Sequence, residues 1–236
     1  MISGITVALL ANKEAENLKM LLPEIIENLK IINVPFSIEV IDTAEQSDNT
    51  EEICAEYGVQ YIRQEMPGFG GAFRTAIKYA DRQLFLILDS DGSHKPCYIP
   101  MIFDKFVTDK CDIVIGSRYT EGGKTFDSKS SVIMSRILNA VFRFCLGISA
   151  HDISTDYRLY DTCQLKNVKL ENVYFDVLQE VLLKMKLNNS KLKIGEVPIT
   201  FEKRIHGESK RRLIPFIFSY IKSLCKLTLM RFMIIK

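Results

Sequence analysis

Apolar residues fall along this chain in two rhythms that alternate with each other. The mostly apolar run over residues 5–10 reads as a buried strand, and after it Leu18, Leu21, Leu22, Ile25, Ile26 and Leu29 share one face of a helix. Pro23 lies inside that helical pattern, so a kink or a late helix start is expected there. The alternation repeats with a strand at 37–41, a helix at 47–57, a strand at 59–63 and a helix at 71–82. The apolar run 84–88 then ends in Asp89-Ser90-Asp91, and a helix at 98–108 and a strand at 112–116 follow. Wholly apolar strands between amphipathic helices predict an α/β fold with a mainly parallel, Rossmann-like sheet covered by helices on both faces. Ligands of such sheets bind beyond the carboxyl ends of the strands. Polar clusters stand at three of those ends: residues 10–14, 42–48 and 89–93.

The second half is less regular. A helix at 130–146 precedes a polar loop at 151–158, a helix near 174–186 and a strand at 193–201. A basic, Gly-containing loop, 203–212, then leads into an apolar C-terminal segment, so the expected division is a catalytic domain at 1–212 and a helix at 213–236. The longest uncharged run of that segment is nine residues, 213–221, well short of the roughly 20 that a spanning helix needs. Ser219, Lys222, Ser223 and Lys226 fall on one helical face opposite a wide apolar surface. This reads as an amphipathic helix lying on a membrane surface with snorkelling cations. The competing reading is a helix packed on its own domain or on a partner subunit.

Composition narrows the picture without changing it. The chain has 236 residues, 47% hydrophobic and 25% charged, as in an ordinary cored globule. A net charge of +2 gives no reason to expect a nucleic-acid partner. The six cysteines include no C-x-x-C pair, and the N-terminal segment lacks a basic region and reads as a first strand, not a signal peptide. Both features suggest reduced thiols and a cytoplasmic protein, peripheral at the cytoplasmic face of a membrane.

Asp89 and Asp91 carry the first chemical signal. Two carboxylates two residues apart, leaving a rigid strand, can hold a hard divalent cation. Such a cation neutralises charge on a departing diphosphate. The same pair also suits a turn and the cap of a following helix. The neighbourhood decides between these readings: GFGGAFRTAI, LFLILDSDGSHKPCYI, DIVIGSRYTEGGK, MSRILN, DISTDYRLY and GEVPITFEKRIHGESK occur in that order. Over roughly residues 5–210 the sequence resembles the family 2 glycosyltransferases of GT-A fold, in particular the branch that glycosylates dolichyl and other polyprenyl phosphates.

The resemblance implies an inverting transfer of a hexose from a GDP- or UDP-sugar to a polyprenyl phosphate, with Mg²⁺ or Mn²⁺ as cofactor. It places Asp89, Asp91 and Ser93 at the metal, with Asp89, Ser90 and Asp91 also on the nucleotide-sugar. It puts Arg118, Arg204 and Lys210 on phosphate, where a guanidinium offers a permanent charge and a fork of donors. For Arg118 the competing reading is a salt bridge to a carboxylate at the sheet end. Leu10, Asn12 and Glu14 occupy places where the family has Pro-x-Tyr-x-Glu beside the nucleobase, and Asp42 alone remains of an Asp-Asp pair. On the acceptor side Ser135 matches, an expected arginine is Ser131, Lys129 and Arg136 stand nearby, and Asp156 replaces a small residue. An anionic lipid phosphate needs no general base. A sugar-hydroxyl acceptor would use one, with Asp152 or Asp156 as first suspects; these two also suit loop structure, paired with Arg158. Two further alternatives are a glycosyltransferase of cell-surface polysaccharide synthesis and a non-catalytic nucleotide-sugar-binding scaffold. A homo-oligomer is compatible with all of them.

Overall fold

The computed structural model describes residues 2–45, 47–206 and 213–234, and of 213–218 and 234 it describes the backbone. Among the described residues the strands are β1 (Ile5–Leu10), β2 (Phe36–Asp42), β3 (Gln60–Arg63), β4 (Leu84–Asp89), β5 (Ile113–Ser117), β6 (Lys124–Thr125), β7 (Arg158–Asp161), β8 (Ile194–Pro198) and β9 (Thr200–Phe201). Eight α-helices accompany them: α1 (Ala15–Ile32), α2 (Thr50–Glu56), α3 (Gly68–Tyr79), α4 (Ile99–Asp109), α5 (Lys129–Leu146), α6 (Thr162–Lys166), α7 (Val177–Asn188) and α8 (Leu213–Ile234). Seven strands make one sheet in the order β3-β2-β1-β4-β7-β5-β8, while β6 and β9 pair as a separate ribbon.

Strand alternation divides the core. Ile5, Val7, Leu9, Leu84, Leu86 and Leu88 point to one side, where Leu18 and Leu22 of α1 and Ile102 and Phe106 of α4 cover them. Ala8, Phe85 and Ile87 point to the other, under Phe73 and Ala76 of α3 and Val181 and Leu182 of α7. The expected two-sided, mainly parallel sheet is thus present: β1 pairs in parallel with β2 and β4, β2 with β3, and β5 with β8.

Three local expectations need correction. Helix α1 runs through Pro23 from its start at Ala15, so there is no late start. Pro23 sits on the exposed side, and the Lys19 carbonyl four residues before it accepts the Tyr57 hydroxyl at 3.3 Å, which replaces the bond that proline cannot donate. The polar stretch expected to be loop up to 158 ends in β7, an antiparallel strand wedged between β4 and β5 in the middle of the sheet. It escapes a hydropathy reading because it is four residues long with charge at both ends. The run 193–201 divides at Pro198, where the chain leaves the main sheet at β8 and joins the ribbon as β9.

Helix α8 packs on α5 and α7 through Tyr220, Ser223 and Leu227, all buried. Asn172 Nδ2 donates to Ser223 Oγ at 3.0 Å, and Lys226 pairs with Glu171 at 2.8 Å. Ser219, which hydrogen-bonds to Asp176, faces the protein body with Ser223 and Lys226, so three members of the polar stripe do, while Ile221, Leu229, Phe232 and Met233 face outward. No helix among the described residues is long and apolar enough to cross a membrane.

Candidate active site

The carboxyl ends of β1 and β4 are adjacent in the sheet, with Leu10 in register with Asp89. Ser90 Oγ donates to the Leu10 carbonyl at 2.7 Å and locks the two ends together. Beyond them opens a cavity of about 280 Å³, lined by Leu10, Asn12 and Glu14 after β1, Asp89, Ser90 and Asp91 after β4, and Arg204 from the loop after β9. Seven of the residues expected at the donor site thus meet in one place. Asp42 does not line it: the side chain is fully buried, accepts from the Thr43 amide (2.7 Å) and the Tyr61 hydroxyl (3.1 Å), and leaves the cavity wall to Thr43. Burial, above all, raises its pKa from the ordinary carboxylate value, making it the weaker acid.

The turn after β4 is built to hold its carboxylates. Gly92 has φ +81°, a conformation that residues with a Cβ rarely adopt, and the Ile205 side chain of the 202–206 loop lies against it, 2.4 Å from where a Cβ would be. The Ile205 amide donates to the Asp91 carbonyl at 3.0 Å, and Arg204 Nε meets Asp91 Oδ2 at 3.0 Å. Ser93 is fully buried, and its hydroxyl donates to Asp91 Oδ1 at 2.5 Å and reaches Asp89 Oδ2 at 3.3 Å. Lys210 and Gly207 lie outside the described residues.

His94, which the sequence reading passed over, completes this corner. Its Nδ1 accepts from the Asp89 amide at 3.1 Å and lies 3.4 Å from Asp89 Oδ2 and 3.6 Å from Asp156 Oδ1. The ring is buried between Tyr157 and Phe201, and desolvation lowers its basicity against the pull of Asp89 and Asp91. Donor atoms of Asp89, His94 and Asp156 lie within 4.8 Å of one another. Carboxylates beside an imidazole are donor types that Mg²⁺ or Mn²⁺ accepts, so Asp89 and Asp156 make a candidate site for the expected metal, with His94 able to join only by giving up the Asp89 amide or Thr155. The signal was available in the D-x-D-x-x-H spacing of Asp89, Asp91 and His94.

A second polar cluster gathers on α5 and the loop before β7. Arg118 donates through Nε and Nη2 to both oxygens of Asp152 (2.7 and 2.9 Å) and through Nη2 to Ser154 Oγ (2.8 Å). Ser135 Oγ is 3.4 Å from Ser154 Oγ, and Arg136 stacks over the Tyr119 ring that also carries Arg118. Lys129 is exposed at the first turn of α5. Burial alone would push the Asp152 carboxyl up, but the Arg118 charge and hydrogen bonds outweigh it and hold it below the usual range. Arg118 thus forms an ion pair with a carboxylate, and Asp152 pairs with Arg118 instead of Arg158. Arg158 is buried elsewhere, donating to the Ile153 and Leu178 carbonyls at 2.8 Å.

Residues 12–165 match the profile of glycosyl transferase family 2. The chain belongs to that family. It is 29% identical over 224 residues to a dolichol-phosphate mannosyltransferase of Pyrococcus furiosus, with 91% of this chain and 60% of the relative covered. A dolichyl-phosphate hexose transferase of Haloferax volcanii is 30% identical over 182 residues, 75% of each chain. A polyprenol monophosphomannose synthase of Mycolicibacterium smegmatis is 32% identical over 153 residues, 63% of this chain and 57% of the relative. The chain thus spans about three fifths of the length of the Pyrococcus relative. In fold it is similar to glucosyl-3-phosphoglycerate synthase from Mycobacterium tuberculosis, solved with Mn²⁺, UDP and glucosyl-3-phosphoglycerate, at TM-score 0.70 and 18% identity, covering 96% of this chain and 80% of that one.

Proposed function

We propose that the protein moves a hexose, with inversion, from a nucleoside-diphosphate sugar to the phosphate of a polyprenyl lipid. The observation that carries this reading is the convergence of Asp89, Asp91 and Arg204 on one cavity at the carboxyl ends of β1 and β4. In this reading Asp89 and Asp91 hold the divalent cation, with His94 and Asp156 beside them and Ser93 fixing the carboxylates by hydrogen bonds. When bound, the cation supplies Lewis-acid stabilisation of the departing diphosphate. Arg204 and Lys210 bind the phosphate oxygens, and Leu10, Asn12, Glu14 and Ser90 line the nucleotide.

Two observations favour a lipid phosphate over a sugar hydroxyl as acceptor. The first suspected base, Asp152, is fully buried and committed to Arg118, and an anionic phosphate needs no base. In this reading the hydroxyls of Ser135 and Ser154, which lie beside an Arg118 whose charge Asp152 and Asp127 already balance, meet the acceptor phosphate. The second is the surface beside it. Helices α5 and α8 contain no acidic residue, and their charges are Lys129, Arg136, Arg143, Lys222, Lys226 and Arg231. Ile133, Ile137 and Phe144 of α5 and Leu229, Phe232 and Met233 of α8 are exposed among them, a composition that suits an anionic lipid surface. The test is transfer from labelled UDP- and GDP-hexoses to a polyprenyl phosphate in vesicles, with Mg²⁺ or Mn²⁺. The wild-type chain should transfer with one donor, and Asp91→Ala should lose about a thousandfold in rate. Near-normal transfer by Asp91→Ala would sink the reading.

A further inference from the structure

Resting on the donor reading above, we infer that the stacked rings of Phe69 and Phe175 are the wall on which the nucleobase of the donor stacks. Position 12, where an aromatic side chain would serve, is Asn12. Among the described residues that line the cavity, the two aromatic ones are Phe69, in the first turn of α3, and Phe175, in the segment before α7. Their ring centroids are 4.3 Å apart with planes 26° from parallel, and both are half-buried at the edge of the core. Amide and hydroxyl groups of Asn12, Thr43 and Gln64 line the same cavity, the kind of groups that read the edge of a flat heterocycle. Asp89, Asp91 and Arg204 supply its charged part.

The placement of the two rings is enforced, not incidental. Residues 172–173 lie directly on the start of α3: the Gly70 amide donates to the Val173 carbonyl at 2.8 Å, and a Cβ on Gly70 would lie 2.1 Å from the Asn172 carbonyl oxygen. Gly68, at φ +81°, also faces this segment, and a Cβ there would lie 2.6 Å from the Val173 carbonyl oxygen. Arg74 Nη1 donates to the Asn172 carbonyl at 2.7 Å, and the buried Glu180 carboxylate accepts the amides of Glu171 and Asn172. The segment that carries Phe175 is therefore welded to the helix that carries Phe69. A rigid ring pair loses little freedom when a base settles on it, which is the condition for an efficient stacking surface.

The test is calorimetry on the full chain in Mn²⁺ with UDP, GDP and inorganic pyrophosphate. Base stacking on an aromatic side chain is worth about five- to a hundredfold in affinity. Phe69→Leu and Phe175→Leu, which keep apolar bulk, should each weaken the preferred nucleoside diphosphate about tenfold and leave pyrophosphate within about twofold. Phe69→Tyr and Phe175→Tyr keep the ring and should keep the affinity, whether or not the leucine variants fold well. An equal loss for pyrophosphate would mean that the rings only prop the pocket. Unchanged nucleotide affinity in both leucine variants would overturn the inference as well. Failure of the donor reading looks different: the wild-type chain would itself bind neither UDP nor GDP, and the aromatic wall would fall with it.

Discussion

The half of the sheet around β1, β2 and β4 and the half around β7, β5 and α5 obey opposite rules. In the first half the strands are apolar and covered on both faces, and the polar groups that matter collect at strand ends, where Asp89, Ser90 and Asp91 meet Leu10. In the second half charge goes inside and apolar side chains go out. Asp152, Arg158 and Glu180 are fully buried there, while Phe144 of α5 is 86% exposed and Met233 of α8 75% exposed. The first pattern is what a water-soluble sheet protein requires. The second requires another reason for each inversion: ion pairs and carbonyls that satisfy the buried groups, and a surface that is not simply water for the exposed ones.

The sharpest way to test this contrast is to remove one carboxylate from each half. Asp152→Ala leaves Arg118, whose side chain is 10% exposed, with only Ser154 and the longer 3.7 Å contact to Asp127. Breaking a buried pair from one side costs about 3–5 kcal/mol, so urea denaturation of Asp152→Ala should show a loss of that size. Asp91→Asn removes a charge from a crowded group of carboxylates that exists for ligands, and should leave stability within about 1 kcal/mol or raise it. Equal costs for the two variants would erase the distinction between carboxylates that hold ligands and carboxylates that hold the fold.

The same contrast explains what was legible in the sequence. β1, β2, β4 and β5 were readable because their apolar runs are long enough to stand out, and the site residues at their ends followed from topology. β7 was not, because Arg158 places its two terminal nitrogens on carbonyls of Leu178 and Ile153, which no linear pattern announces. The side of α8 that faces the protein was misread for a related reason: Ser223 and Lys226 find partners in Asn172 and Glu171, some 50 residues back. Phe69 stood visibly in the GFGG run, but its partner Phe175 is brought to it by contacts of Gly70 that only the fold supplies.

Glu39 is where the orderly half breaks its own rule, and it gives the next largest effect. It lies on β2 with 2% of its surface exposed. Burial first, then the charge of Asp81, raise its pKa from an ordinary 4.5 to about 8, with Lys166 opposing. A carboxyl with a raised folded-state pKa contributes stability that is complete below the unfolded value. That contribution declines as pH rises above about 4.5 and is lost once pH passes about 8. Stability of the wild-type chain should therefore fall across this window. Glu39→Gln should flatten the fall and be the more stable chain at pH 8, by on the order of 2 kcal/mol. Parallel pH profiles for the two chains would show that Glu39 is ionised in the fold throughout.

The smallest expected effect probes the other half's exposed face, and it must appear in binding without appearing in stability. Phe144 on α5 and Leu229 on α8 are 86% and 62% exposed, so replacing both with serine removes little that the fold uses. If the face rests on lipid, each side chain contributes by leaving water for the acyl boundary, and the double variant should bind vesicles containing anionic lipid about tenfold more weakly. Its denaturation midpoint should match that of the wild type. Raising the salt concentration should weaken the binding of both chains, because the six cations of α5 and α8 remain in place. A drop in midpoint together with a change in molecular mass would instead mean that a second copy of the chain covers the face. In that case the outward apolar residues belong to a protein interface, and the inversion between the two halves has its cause in assembly, not in a membrane.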